Sequence, residues 1–245
     1  MIVWLGMYDP PDLQAANDRF WGAIRARLGE GPASLRRDIH TWEVWQSPDM
    51  LLAQTCGLPF RARLHEKVSL VGTPDYGLPG CPPGHYNSAL VVRADDPRAT
   101  LADFPHARFA FNDALSQSGW AAPWAHFQAA RVEIGPRLET GSHAASATAV
   151  AEGRADIAAL DALTWTLLRE HHPELTAGLR ELDRTAPTPV LPYITAAGRD
   201  PAPLAKAITG AIDDLSPDDR ALLHLRGLVQ IPAEAYLALP IPPRP

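Results

Sequence analysis

The feature that most constrains this chain is a strict alternation through its middle. A strand at 108–111 is followed by the loop NDALSQSG and a helix at 120–130. A strand at 132–134 leads through ETGSH to a helix at 144–152, and a strand at 156–160 leads to a helix at 162–170. Short apolar runs alternating with helical periods are the pattern of βαβ units. Their expected product is an α/β fold with parallel strands covered by helices on both faces.

The flanking segments read less regularly. Residues 2–5 form a first strand, and 12–28 a helix in which Leu13, Ala16, Phe20, Ile24 and Leu28 recur at helical spacing behind Pro10 and Pro11. A Trp-rich segment at 42–45, a helix near 49–53 and a strand at 68–71 follow. A Pro- and Gly-rich loop at 73–84 then leads into a strand at 88–92. Beyond the alternating region come a strand near 180–184, the segment TAPTPVLPYIT, and helices at 201–215 and 217–225. Two extended segments, 86–93 and 184–195, bracket the middle unit. Two brackets are what a discontinuous architecture needs, because the chain must cross into a second lobe and return. Residues 1–86 and 190–245 are therefore expected to form lobe one, and 87–189 the inserted lobe two.

Bulk properties narrow the partners. At 245 residues the chain has length for two lobes of about 100 residues each. Its 46% hydrophobic and 20% charged content is that of an ordinary globular protein. A net charge of -6 with no basic stripe argues against nucleic acid or an anionic membrane as main partner. The 25 prolines are scattered, no internal repeat is found, and no apolar run approaches the ~20 residues needed to span a bilayer. The opening MIVWLGMYD lacks a basic segment, a long apolar segment and a cleavage site, so it reads as the first strand. Either the protein stays in the cytoplasm or its export signal is absent from this chain, and Met1 favours the former. Cys56 and Cys81 leave a disulfide and a pair of thiols equally open.

The chemistry-bearing residues sit at the strand–helix junctions. Ser116-Gln117-Ser118-Gly119 precedes a helix. Small hydroxyls and a glycine there leave the first-turn N–H groups open to an anion. Alone, Ser116 reads first as an N-cap. Thr140-Gly141-Ser142-His143, with Ser146 one turn on, repeats the logic, and His143 adds a side-chain donor. A capping or surface histidine is the plainer reading of His143. Asp161 ends the run ADIAALD, where it could accept from a protonated ligand or cap the next helix; Asp156 reads as a solvated residue at the strand's start. Two such junctions in one lobe strengthen each other, since ligands in open α/β sheets gather at the carboxyl ends of strands. Ser116 or Ser118 with His143 and Asp161 has the parts of a triad, but SQSG is not the GxSxG elbow. No catalytic residue is assigned. The histidines show no HExxH spacing, CxxC is absent, and neither GxGxxG nor GxxxxGK[ST] occurs, so no metal or cofactor is expected. Trp42 and Trp45 could line a cleft, although large aromatics more often pack a core.

QTCGLPFR, VGTPDYGLPGCPPGHYNSALVVRADDP, FNDALSQSGW, TGSHAASATAVAEGRADIAALDALTW and RTAPTPVLPYITA together resemble the PhnD-like family, the phosphate/phosphite/phosphonate-binding proteins of ABC importers. The similarity runs from Met7 to about residue 197. It implies the type II periplasmic-binding fold, two α/β lobes joined by two hinge strands, and a small tetrahedral oxyanion held in the interlobe cleft. By the same resemblance Ser116, Ser118 and Gly119 would hold the anion at a helix start. His143 would assist, Tyr86 on the first crossover strand would contact ligand, and Trp42 from lobe one would close the site. Asp161 lies near the position of an acidic residue that recognises an amine in some members. The resemblance further implies a periplasmic, monomeric, non-enzymatic protein with an ABC-transporter permease as partner. A cytoplasmic sensor of the same fold, or an enzyme built on it, stands as the alternative.

Overall fold

In the computed structural model, which describes residues Met1–Pro245, twelve strands follow one another along the chain. They are β1 (Ile2–Trp4), β2 (Met50–Gln54), β3 (Val68–Asp75), β4 (His85–Tyr86), β5 (Ser88–Arg93) and β6 (Phe109–Phe111). The second half holds β7 (Arg137–Glu139), β8 (Ile157–Asp161), β9 (Leu179–Arg184), β10 (Thr188–Pro189), β11 (Tyr193–Ala196) and β12 (Gly227–Val229). Contacts separate two units: Met1–His85 with Pro189–Ala238, and Tyr86–Thr188 with Leu239–Pro245. The chain leaves the first unit at β4 and re-enters it at β10, and these two short strands pair with each other. The last residues, Leu239–Pro245, gather with the second unit, where the sequence reading put them with the first. An indole holds them there: Trp120 Nε1 donates to the Pro243 carbonyl at 2.9 Å.

In the first unit the sheet order is β1-β2-β11-β3-β12. β1 runs parallel to β2, whereas β11 is antiparallel to both β2 and β3 because it returns from the crossing. A helix at Gln14–Leu28 buries Ala16, Phe20, Trp21 and Ile24. It stops at Gly29, whose φ of 77° is open to glycine at little cost and whose N–H closes on the Arg25 carbonyl. The helix expected near 49–53 is instead β2. All five of its residues are buried, and an apolar run buried on both sides carries no period that separates helix from strand. Cys56 and Cys81 are not joined in a disulfide.

In the second unit the sheet order is β7-β6-β8-β5-β9. β6 is parallel to β7 and β8, while β5 is antiparallel to β8 and β9, so the sheet is mixed and not wholly parallel as expected. Alternation along its strands makes two unlike faces. Leu90, Val92, Phe109, Phe111, Ile157 and Ala159 join Trp120 and Phe127 on one face. Ala89, Val91, Ala110, Ala158 and Leu160 join Ala147, Val150, Trp165 and Leu168 on the other. Small side chains on that second face let the helices at His143–Ala151 and Ala162–His171 lie close to the sheet. The strand expected at 132–134 lies at β7 instead. Arg131 adopts a left-handed φ of 57° and turns the chain, so Val132 and Ile134 are buried as loop residues.

Candidate functional site

β6, β7 and β8 run in one direction, and each delivers the chain to a helix start at the same edge of the second unit. After β6 the chain turns through Asn112 and begins with a short wide-turn segment, Gln117–Ala121, that continues as an α-helix over Ala122–Ala130. Ser116 caps it: its Oγ accepts from the Gly119 N–H at 2.9 Å. After β7, Ser142 caps the helix His143–Ala151 by accepting from the Ala145 N–H at 3.1 Å. After β8, Asp161 caps the helix Ala162–His171 by accepting from Leu163 and Thr164 N–H groups at 2.9 and 3.0 Å. The plainer reading of Ser116 and Asp161 is thus realised, and both are buried at 5% and 2% exposure. Asp156 is not simply solvated, since it accepts from both Nε and Nη2 of Arg108.

The first two helix starts are tied together. Ser118 Oγ lies 3.0 Å from His143 Nε2, so the SQSG and TGSH junctions meet through side chains. Ser88 at the beginning of β5 donates from Oγ to the Ser118 carbonyl at 2.8 Å, and it stands opposite Asp161 in the sheet. Burial pushes the His143 imidazole down to about 4, against a smaller upward pull from the Ala159 backbone. The ring is therefore neutral near pH 7, when it can offer only one N–H. Gly119 is required by its surroundings: a Cβ there would sit 1.8 Å from Asn112 Oδ1.

Among the residues singled out in the sequence, Ser116, Ser118, Gly119, His143 and Asp161 gather at this edge. Tyr86 opens the second unit on β4 and is buried at 1% exposure. Trp42 belongs to the first unit, where it packs edge-on against Trp45 with ring centroids 5.0 Å apart and takes the Arg63 guanidinium over its ring. Sequence reasoning missed Asn112 and Ser88. Asn112 Oδ1 is buried beside the SQSG turn without a hydrogen-bond partner. A polar residue directly after an apolar strand and before a serine-rich loop was the signal for it. Thr140 Oγ1 is engaged internally, bridging to the Phe111 carbonyl at 3.0 Å and to Ser146 Oγ at 2.7 Å. No group of three or more His, Cys, Asp or Glu side chains is placed to hold a metal ion.

Two α/β units linked by a chain that crosses out and back, with helix starts gathered at strand ends, define the type II periplasmic-binding class. Solved structures of low identity share that fold. PhnD1 from Prochlorococcus marinus, in complex with methylphosphonate, superposes with a TM-score of 0.75 at 17% identity, covering 96% of this chain and 94% of that one. PA3383 from Pseudomonas aeruginosa, a binding component of an ABC phosphonate transporter, gives 0.69 at 16% identity over 97% and 83%. XAC2383 from Xanthomonas citri bound to ATP gives 0.69 at 18% identity over 97% and 95%. The sequence profile of the phosphonate ABC-transporter periplasmic substrate-binding proteins matches residues 52–233, and the chain belongs to that family. The family is a class of transport binding proteins and not a class of enzymes. No curated protein sequence matches the chain. No helix is long and apolar enough to cross a membrane.

Proposed function

We propose that this protein captures a small tetrahedral oxyanion of the phosphate, phosphite or phosphonate type and presents it to an ABC-transporter permease. The observation that carries the reading is the 3.0 Å contact between Ser118 Oγ and His143 Nε2, which joins two helix starts at the ends of neighbouring parallel strands. First-turn N–H groups and the positive ends of two helix dipoles suit an anion there without any net positive charge on the protein. Ser118 Oγ and His143 Nε2 share one hydrogen bond, so the pair offers the ligand one remaining side-chain donor, while the absence of a side chain at Gly119 lets Asn112 and the Ser116 cap close around the turn. Ser116 and Asp161 act behind them by holding their helix starts in register. By resemblance to the family, Tyr86 and Trp42 would add aromatic contacts to the ligand. The reading places the protein in the periplasm as a monomer that binds without catalysing.

The test is calorimetric titration of the full chain with methylphosphonate, phosphite and phosphate. Removing a donor to a charged ligand costs about 1.5–3 kcal/mol, so Ser118→Ala with His143→Ala should weaken binding at least about tenfold. Unchanged affinity in a variant with an unchanged thermal midpoint would overturn the site.

A further inference from the structure

A polar cavity lies at the end of the second unit's sheet opposite the helix starts. It holds about 210 Å³ and is lined by Arg93, Arg98, Arg108, Asp96, Asp156 and the small residues around Gly153. Arg93 ends β5, while Arg108 and Asp156 stand immediately before β6 and β8. Ser88, at the other end of β5, marks the helix-start edge. At ~3.4 Å per residue the two edges are about 17 Å apart. No part of the oxyanion site described above reaches this cavity.

Its arginines are anchored in a common way. Arg98 donates from Nε and Nη2 to Asp96 at 3.0 and 2.6 Å, and its guanidinium stacks on the buried Phe104 ring at 3.9 Å. Arg108 donates from Nε and Nη2 to Asp156 at 3.1 and 2.9 Å. Arg93 donates from Nε to Asp95 at 3.0 Å. Arg180 pins the turn that carries Asp96 and Arg98, donating from Nη2 to both of their backbone carbonyls. Each cavity arginine is thus held along one edge, and none uses its Nη1 in a hydrogen bond to the protein. Side-chain entropy, the usual cost of recruiting arginine, is already lost at Arg98 and Arg108.

We propose that this cavity is a second anion site, which takes a phosphoryl group. Three guanidiniums from three chain segments match the terminal oxygens of a phosphoryl group, whereas a carboxylate is satisfied by a single guanidinium fork. A water needs only ~15 Å³ of such space, so the cavity accepts a multi-atom anion and has room for a second phosphoryl unit. With Asp95 on Arg93, Asp96 on Arg98 and Asp156 on Arg108, each guanidinium already has one carboxylate, so the cavity has no net positive excess and an anion would be held by the remaining Nη1 donors. Binding is accordingly weak and falls as salt is raised.

Inorganic pyrophosphate is the probe, titrated into the full chain by calorimetry at low and high salt. Arg93→Gln is the first variant, because its partner Asp95 is 77% exposed and simply rehydrates when the arginine is lost. Loss of one charged donor should weaken pyrophosphate binding about tenfold, and Arg93→Gln with Arg98→Gln should abolish it. Ser118→Ala should leave this binding unchanged, which separates it from the helix-start site. Absent pyrophosphate binding, binding indifferent to Arg93→Gln in a variant of unchanged thermal midpoint, or binding lost in Ser118→Ala would each overturn the proposal.

Discussion

Replacing Gly119 by alanine puts a methyl carbon into space already occupied. The added Cβ would lie 1.8 Å from Asn112 Oδ1 and 3.1 Å from Ser116 Oγ. The first distance is impossible without rotating the Asn112 side chain, and overpacking of this kind costs about 1–3 kcal/mol. The second crowds the oxygen that caps Gly119, and loss of such a cap costs about 1 kcal/mol. Alanine recovers about 1 kcal/mol over glycine in helical backbone, so these two smaller effects cancel. The net expectation is a loss of about 1–3 kcal/mol, nearly all of it from the Asn112 collision. Because Asn112 Oδ1 has no hydrogen-bond partner, Asn112→Ala by itself should cost little. In the Asn112→Ala background, Gly119→Ala should therefore be close to neutral. Equilibrium urea unfolding of the four proteins of this cycle measures the coupling. An equal cost of Gly119→Ala in both backgrounds would refute the claim that Asn112 makes the glycine necessary.

Two further outcomes follow from the same unit. The folded-state pKa of His143 is depressed to about 4, so between its ordinary value of 6.5 and about 4 the unfolded chain binds a proton that the folded chain does not. Its contribution is intact above pH 6.5 and lost as pH falls toward 4, by at most about 3 kcal/mol, and chemical unfolding across that window should show a slope that His143→Gln removes. Deleting Leu239–Pro245 removes the acceptor of Trp120 Nε1 and uncovers the indole one residue after Gly119. It should cost about 1–2 kcal/mol and raise hydrogen exchange at 117–121, and unchanged exchange there would count against a positioning role for the tail.

The helix starts were readable because their chemistry is local. Ser116, Ser142 and Asp161 cap helices through bonds that span two or three residues, and cap preference is written into short sequence windows. The α/β alternation was legible for the same reason. Other features depended on residues far apart in the chain. β2 looked helical because burial on both sides erases its period, and only its neighbours β1 and β11 make it a strand. The mixed direction of the second sheet follows from β5 and β9 flanking the crossings, which no single segment reveals. Sequence marks Asn112 only as a polar residue after an apolar strand; that it fills the space a Cβ on Gly119 would need is decided by the tertiary approach.

By itself, then, the amino-acid order determined that strands and helices alternate through the middle of the chain and which of its junctions carry hydroxyls and glycine. Those are consequences of backbone propensity and periodicity, which act within a few residues. Tertiary structure alone decided that Ser118 meets His143 across 25 positions, that burial keeps that imidazole neutral, and that the C-terminal residues join the second unit. It also decided that three arginines converge on one cavity. The physical reason is that such pairings arise when packing brings distant segments together, and packing energy is shared over many contacts that no short window contains.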